Sequence, residues 1–261
     1  MSNATEQPSG GLLPPFSADW AFFLDIDGTL LDFAPTPDAV VPDELTRELL
    51  IRLQQRASGA VALISGRAAR DIDRLFEPLR FPIAGQHGVE RRDAAGNWHK
   101  HALPEHELHA ASSELEALCR AHPGLVFENK GLNLAVHYRL APECGELVHR
   151  RMIRLMQQLG PRFEVQGGKM IWEIKPSGRD KGMAIIEFLA EVPFAARTPV
   201  FVGDDVTDES AFQAVNKLGG LSIKVGPGAT AARFRLADAA AVRAWLGSWA
   251  DWSAARGRAS P

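Results

Sequence analysis

Between Ala21 and Leu24 the chain is wholly apolar, and at Asp25 it turns acidic with no spacer. Asp27 follows, and Gly28-Thr29 turns the chain before Leu30-Leu31-Asp32. An apolar run that ends at once in carboxylates and a glycine predicts a buried strand delivering its acids at the carboxyl edge of an open α/β sheet. Asp and Gly are also ordinary turn residues, so one Asp-x-Asp-Gly alone fits a plain Asx-type turn as well. The decision rests on whether the rest of the chain repeats the pattern.

It does. Ala60 to Ile64 is a second apolar strand running straight into Ser65-Gly66-Arg67, and Pro199 to Val202 delivers Gly203-Asp204-Asp205-Val206-Thr207-Asp208. Between the first two lie a Pro-studded loop, Asp32 to Pro42, and a helix started by Pro42-Asp43-Glu44, residues that suit a first turn and its dipole. Leu45, Leu49 and Leu53 predict its buried face, and Gly59 its end. A helix through Ile72, Leu75 and Phe76, a short strand from Pro82 to Ala84 ending in Gly85-Gln86-His87-Gly88, and a hairpin from Val89 to His101 follow. This β-α-β-α opening predicts a parallel sheet with right-handed crossovers. The same grammar closes the chain: Asp180-Lys181-Gly182 opens a helix carrying Met183, Ile186 and Leu189, and a helix from Glu209 to Asn216 follows the acidic turn. A strand from Leu221 to Val225 and a terminal helix through Trp245 and Trp249 come last.

From about Glu105 the grammar differs. A helix to Ala121 precedes β segments Leu125 to Asn129 and Leu132 to Arg139; a helix from Pro142 to Leu159 precedes Arg162 to Gln166 and Lys169 to Lys175. Lys130-Gly131 and Gly167-Gly168 separate the paired segments, and short glycine turns mean antiparallel hairpins. Leu132, Leu134, Val136 and Tyr138 share one strand face, with Met170, Trp172 and Ile174 on the same side of the next hairpin. Asn133, Ala135, His137 and Arg139, with Lys169, Ile171, Glu173 and Lys175, share the other. A polar face on an antiparallel sheet is ordinarily solvated, and that reading stays open for each residue.

The expected architecture is therefore α/β: a doubly wound, mostly parallel, Rossmann-like core with an inserted α+β cap domain. The expected division is a disordered N-terminal segment (1–15), core (16–104), cap (105–175), core again (176–252) and a flexible tail (253–261). With 261 residues, 46% hydrophobic and 23% charged, the chain suits a soluble globular enzyme. Its net charge of −3 and lack of a basic block offer nothing to nucleic acid or an anionic membrane. No apolar run approaches the roughly 20 residues of a membrane span. Two cysteines, Cys119 and Cys144, make no disulfide framework and no metal-ligand spacing, which suits reduced thiols in the cytoplasm.

The strand ends place Asp25, Asp27, Ser65, Asp204, Asp205 and Asp208, with Lys181 at a helix start, along one sheet edge. Carboxylates converging there would repel without a cation, and oxygen-only ligands suit Mg²⁺. A cation, a hydroxyl and a lysine around a carboxylate make a site for phosphoryl transfer, which is largely positioning and charge neutralisation. A carboxylate can itself be the nucleophile, with a second one moving protons.

At this point the residues carry a resemblance. DIDGT, the serine after an apolar strand, Lys181 and GDDVTDE resemble the four ordered motifs of haloacid-dehalogenase-type phosphatases. From about Trp20 to Trp252 the chain resembles most the trehalose-6-phosphate phosphatases of that superfamily, through DGTLLDFAPTPDA, LISGR, GQHGVE, ENKGLNLAVHYR, WEIKP and GDDVTDESAF. The resemblance implies a Mg²⁺-dependent hydrolase of trehalose 6-phosphate working through an aspartyl-phosphate. Asp25 would be the nucleophile and Asp27 the acid and then the base, with Ser65 and Lys181 holding the phosphoryl group. Asp25 and Asp204 would bind the metal by side chain and Asp27 by its carbonyl, with Asp205 and Asp208 orienting its waters. Arg67 would shape the phosphoryl edge. Lys130, His137, Arg139, Lys169 and Glu173 would face the sugar from the cap, with Glu90 reaching from the core; a satisfied strand histidine and a surface charge remain open for His137 and Arg139. The implied partner is a small sugar phosphate, with no nucleic acid, membrane or obligate protein partner, in the cytoplasm. The rivals are another capped sugar-phosphate phosphatase, such as one for sucrose phosphate, a phosphohexomutase, and an aspartate-phosphorylated receiver without turnover. Hinges are expected near His101 to Glu105 and Pro176 to Gly178.

Overall fold

The computed structural model describes residues 12–32, 40–100 and 108–252. Most of the Pro-studded loop, the first expected hinge, the start of the helix at Glu105 and the tail from 253 lie outside them. The chain opens with β1 (Trp20–Leu24), α1 (Glu44–Arg56), β2 (Val61–Ile64), α2 (Ala69–Phe76), β3 (Ile83–Gly85), β4 (Glu90–Arg92) and β5 (Trp98–Lys100). Then come α3 (His109–Ala121), β6 (Val126–Asn129), β7 (Leu134–His137), α4 (Gly145–Leu159), β8 (Phe163–Gly168) and β9 (Ile171–Pro176). It closes with α5 (Lys181–Leu189), β10 (Thr198–Gly203), α6 (Glu209–Lys217), β11 (Leu221–Val225), β12 (Phe234–Leu236) and α7 (Ala239–Asp251).

The large sheet has the order β12-β11-β10-β1-β2-β3-β4-β5. It is parallel from β12 to β3 and antiparallel through β4 and β5. The chain winds outward from β1 through β2 and β3, then returns to β1's other side with β10. The crevice between β1 and β10 is thus a topological switch point, where open α/β sheets bind ligands. β1 is apolar throughout because both its faces are covered. Phe22 packs on Trp249 of α7, ring centroids 4.6 Å apart, while Phe23 on the opposite face stacks on Phe194 at 5.3 Å and meets Phe188 of α5. Leu13 and Phe16 pack against this core, so the N-terminal part joins it earlier than residue 16.

Residues 109–176 form a four-stranded antiparallel sheet, β6-β7-β9-β8, with α3 and α4 on one side. It has its own apolar cluster, in which Leu115, Leu134, Val136, Val148, Met152 and Ile174 are fully buried. A separate core is what a module needs to fold and move as a unit.

Several local expectations change. In α1 the buried stripe is Thr46, Leu49, Leu50 and Leu53, and Leu45 at its margin is 74% exposed. Asp43 caps this helix by accepting from the Thr46 amide at 2.8 Å. In α5, Ala184, Ile185 and Phe188 face the sheet, leaving Met183 and Ile186 exposed. Gly167 and Gly168 are strand residues, paired with Trp172 and Ile171, and the turn falls at Lys169-Met170, where Met170 takes φ 61°. The glycines provide room instead: a Cβ on Gly167 would stand 2.8 Å from the Trp172 ring. The short edge strand β12 carries too few residues to show a period.

Candidate active site

β1 runs directly into Asp25, whose amide donates to the Val202 carbonyl of β10 at 3.0 Å. The next turn folds back on itself: the amides of Leu30 and Leu31 both donate to the Ile26 carbonyl, and Gly28 takes φ 81°. The turn separates the two acids. Asp25 is buried at 5% exposure, while the Asp27 side chain sits nearer the opening in a bidentate pair with Arg67, both contacts at 2.7 Å.

The floor is a chain of charges. The Lys181 ammonium donates to Asp25 Oδ1 at 2.7 Å and to Asp208 Oδ1 at 2.5 Å. Asp208 Oδ2 accepts from the amides of Asp204 and Asp205, at 2.8 and 2.9 Å. Both Asp208 oxygens are therefore spent on Lys181 and the main chain, so this acid braces the GDD turn. The Lys224 ammonium holds the Asp204 carbonyl. Ser65 is buried at the end of β2, and its Oγ accepts from the Arg67 amide at 3.1 Å.

Carboxylate oxygens of Asp25, Asp204 and Asp208 lie within 4.8 Å of one another, all buried. Burial, then the Asp208 and Asp204 charges, pushes Asp25 well above the usual carboxylate range, with Lys181 pulling the other way. Burial and Asp208 likewise raise Asp204. Burial also opposes the Lys181 charge, but Asp208 and Asp25 outweigh it and keep that amine firmly protonated. Acids held away from their charged forms while pointing at one another are what a cation would relieve. The donor set, oxygen only, fits a hard divalent ion.

The cap closes this edge from above. Lys169 in the β8–β9 turn donates its ammonium to Asp204 Oδ2 at 2.5 Å and its amide to Asp205 Oδ2 at 3.1 Å. Lys130, buried beyond β6, donates to Glu173 Oε1 at 2.7 Å and to the Gly66 carbonyl at 2.9 Å. His137 pairs through Nε2 with Glu128 Oε2 at 2.8 Å. Burial opposes the Glu173 charge, yet Lys130 and His87 hold its carboxyl below the usual glutamate range.

The structure brings nearly all the sequence-predicted residues together. All but Glu90 and Asp208 line one cavity of about 200 Å³ between the sheet edge and the cap. Glu90 lies behind the cavity, where Oε1 accepts from the Ala69 amide at 2.7 Å and from Gln86 Nε2 at 3.1 Å. Gln86 in turn donates to the Lys130 carbonyl at 2.8 Å, so among the described residues Glu90 is linked to the cap through Gln86. Glu128, Gln166 and His87 also line the cavity and were not among the predicted site residues. Strand register carries the signal for two of them. Glu128 pairs with Ala135, Ala135 with Glu173, and Glu173 with Gln166, one row across four strands on one face. The Gln166 side-chain oxygen, Oε1, is buried there without a partner among the described residues.

With this geometry in hand, comparison with known proteins is specific. A family model described as trehalose-phosphatase matches residues 23–240. The trehalose-6-phosphate phosphatase of Escherichia coli (strain K12) is 46% identical over 234 residues, 89% of this chain and 87% of that protein. A probable trehalose-phosphate phosphatase of Sinorhizobium fredii is 47% identical over 80% of this chain and 78% of that protein. Among solved structures, the C-terminal domain of a C. albicans trehalose-6-phosphate phosphatase superposes with TM-score 0.81 over 89% of this chain and 93% of that one, at 22% identity, a likeness of fold.

Proposed function

The chain belongs to the trehalose-phosphatase family, and from that premise we propose that it hydrolyses trehalose 6-phosphate to trehalose and phosphate through an aspartyl-phosphate on Asp25. One observation carries the reading: Asp25, Ser65 and Lys181 converge at the β1/β10 switch point directly beneath the polar cap face of Lys130, His137 and Glu173.

In the proposed reaction, Asp25 Oδ attacks phosphorus, the Asp25 O–P bond forms and the P–O bond to the sugar breaks. Asp27 gives its proton to the leaving sugar oxygen. Water then attacks the acyl-phosphate, passing a proton to Asp27 as the Asp25 O–P bond breaks and phosphate leaves. Arg67 holds the Asp27 carboxylate in its bidentate pair, which opens at one oxygen for each transfer. Lys181 and Ser65 hold the phosphoryl oxygens, and Lys181 also fixes the attacking carboxylate. Asp25 and Asp204 would hold Mg²⁺ by side chain and Asp27 by its carbonyl, with Asp205 and Asp208 outside them. When bound, the ion neutralises charge on the phosphoryl oxygens. Asp208 suits an outer place because its own oxygens are committed.

Lys130, His137, Arg139, Lys169 and Glu173 would bind the disaccharide. In this reading residues 105–175 are the cap and 16–104 with 176–252 the core, and the cap swings on Pro176 to Gly178 to admit substrate. Among the described residues no helix is long and apolar enough to cross a membrane; a cytoplasmic enzyme acting without an obligate partner is the fitting setting. Phosphate release over a sugar-phosphate panel tests the substrate. Trehalose 6-phosphate should exceed glucose 6-phosphate and sucrose 6-phosphate by at least about 100-fold in kcat/KM, the scale of a site built to hydrogen-bond one sugar. A wide preference for another phosphate, or isomer conversion without phosphate release, overturns it.

A further inference from the structure

We propose that His87 is a positioning residue for sugar recognition: from the core it fixes Glu173 of the cap, so that the cap's acid is aimed only when the cap is seated. The inference deepens the reading above and rests on it.

His87 belongs to the core, in the tight turn Gln86–Gly88 that follows β3. It is buried at 6% exposure, and its Nε2 lies 2.9 Å from Glu173 Oε2 in β9 of the cap. The backbone there is left-handed, φ 58° and ψ 27°, a conformation that costs a non-glycine residue free energy and that His tolerates better than most. The ring's seat is kept open by Gly66: a Cβ there would stand 2.8 Å from the imidazole Cε1 and Nε2. The same Gly66 accepts from Lys130, the other partner of Glu173. The His87–Glu173 and Lys130–Gly66 contacts between cap and core therefore converge beside Ser65, the expected phosphoryl-binding residue.

Donor and acceptor chemistry fixes the ring. A carboxylate only accepts, so Nε2 carries the proton. Burial lowers the affinity of this imidazole for a second proton, against the pull of Glu173. Nδ1 is then an acceptor, buried and without a donor among the described residues. The polar chemistry of a strained, enclosed core residue is thus directed at one cap carboxylate. Cap residues that close over a core need such a stop, because a carboxylate free to rotate loses the orientation that makes hydroxyl recognition selective.

The test uses the full-length enzyme with trehalose 6-phosphate and with p-nitrophenyl phosphate, whose leaving group is too small to use the cap face. His87→Asn keeps a residue that tolerates the left-handed backbone but is too short to reach Glu173. It should raise KM for trehalose 6-phosphate about tenfold, the scale of one hydrogen bond to a charged group. Turnover of p-nitrophenyl phosphate should stay within about twofold. His87→Gln, whose amide can stand in for Nε2, should recover most of the loss. In a double-mutant cycle with Glu173→Gln, the His87→Asn effect should vanish. Equal losses on both esters, or effects of His87→Asn and Glu173→Gln that simply multiply, overturn the proposal. Should His87→Asn unfold, the cycle is run with His87→Gln, where any residual effect must likewise disappear on Glu173→Gln. If the wild-type enzyme prefers a different sugar phosphate, the substrate reading fails, and the same cycle on the preferred ester still decides the role of His87.

Discussion

The sheet edge and the cap face both bury charge, but against different neighbours. At the edge, Asp25, Lys181 and Asp208 satisfy one another within the core, and Asp208 is further tied to two main-chain amides. None of these bonds draws on the cap. On the cap, Lys130 and Glu173 also reach partners across the gap, at Gly66, Gln86 and His87. Core residues supply part of their enclosure. Bond making wants atoms already fixed in place, whereas recognition wants a surface that admits substrate and then excludes water. One fold supplies both by giving each to a sheet of a different kind.

Removing the proposed nucleophile should break the first half of that contrast. Asp25→Asn should lower phosphate release by at least about 10⁴-fold, and equally for sugar and small esters. A loss confined to the sugar phosphate would mean that Asp25 does not form the bond. Asp27→Asn should cost about 10²- to 10⁴-fold, and full activity in that variant would contradict its role in proton transfer.

The cap half is sharpened by Glu173→Gln. Breaking a buried pair with Lys130 should cost about 3 kcal/mol of stability, read from denaturant unfolding. Because Glu173 titrates below the ordinary glutamate value in the folded protein, its contribution is complete above about pH 4.3 and is lost only as pH falls through the depressed value. The stability gap between wild type and variant should thus be flat from pH 8 to 5 and narrow in stronger acid. The acids of the sheet edge carry the opposite sign. Asp25 and Asp204 are raised, so without a cation their stability contribution falls as pH rises from the ordinary aspartate value of about 3.9 through the raised ones. Magnesium should therefore raise the unfolding midpoint more at pH 7.5 than at pH 5, and chelation should abolish turnover until it is restored. An equal midpoint shift at both pH values would argue that the ion binds elsewhere. The smallest effect belongs to Glu90→Gln, a few-fold change in KM, because Glu90 is linked to the cap through Gln86.

What could be read from the sequence follows the same divide. Asp25, Ser65 and Asp204 were legible because each stands immediately after an apolar strand, where contiguity in sequence becomes contiguity along a sheet edge. Lys169 and Glu173 came through strand alternation together with the family resemblance, and Lys130, in a hairpin turn, through the resemblance alone. Glu128 and Gln166 needed the register of four strands, which no single segment contains. His87 needed the seating of one domain on another. Glu90 stands near the cavity in sequence, yet its strand aims it at the start of α2. Leucine spacing alone also misplaced Leu45, since from the Asp43 cap the buried stripe of α1 runs through Thr46, Leu49, Leu50 and Leu53.

The division of labour is tested most directly by one ratio: kcat/KM for trehalose 6-phosphate over that for p-nitrophenyl phosphate, in wild type and in Glu173→Gln. The ratio should fall by about 10- to 100-fold, carried by the sugar phosphate, with the small ester turned over at close to its wild-type rate. A ratio left unchanged, with both esters losing together, would place Glu173 in the chemistry of the sheet edge and contradict the account.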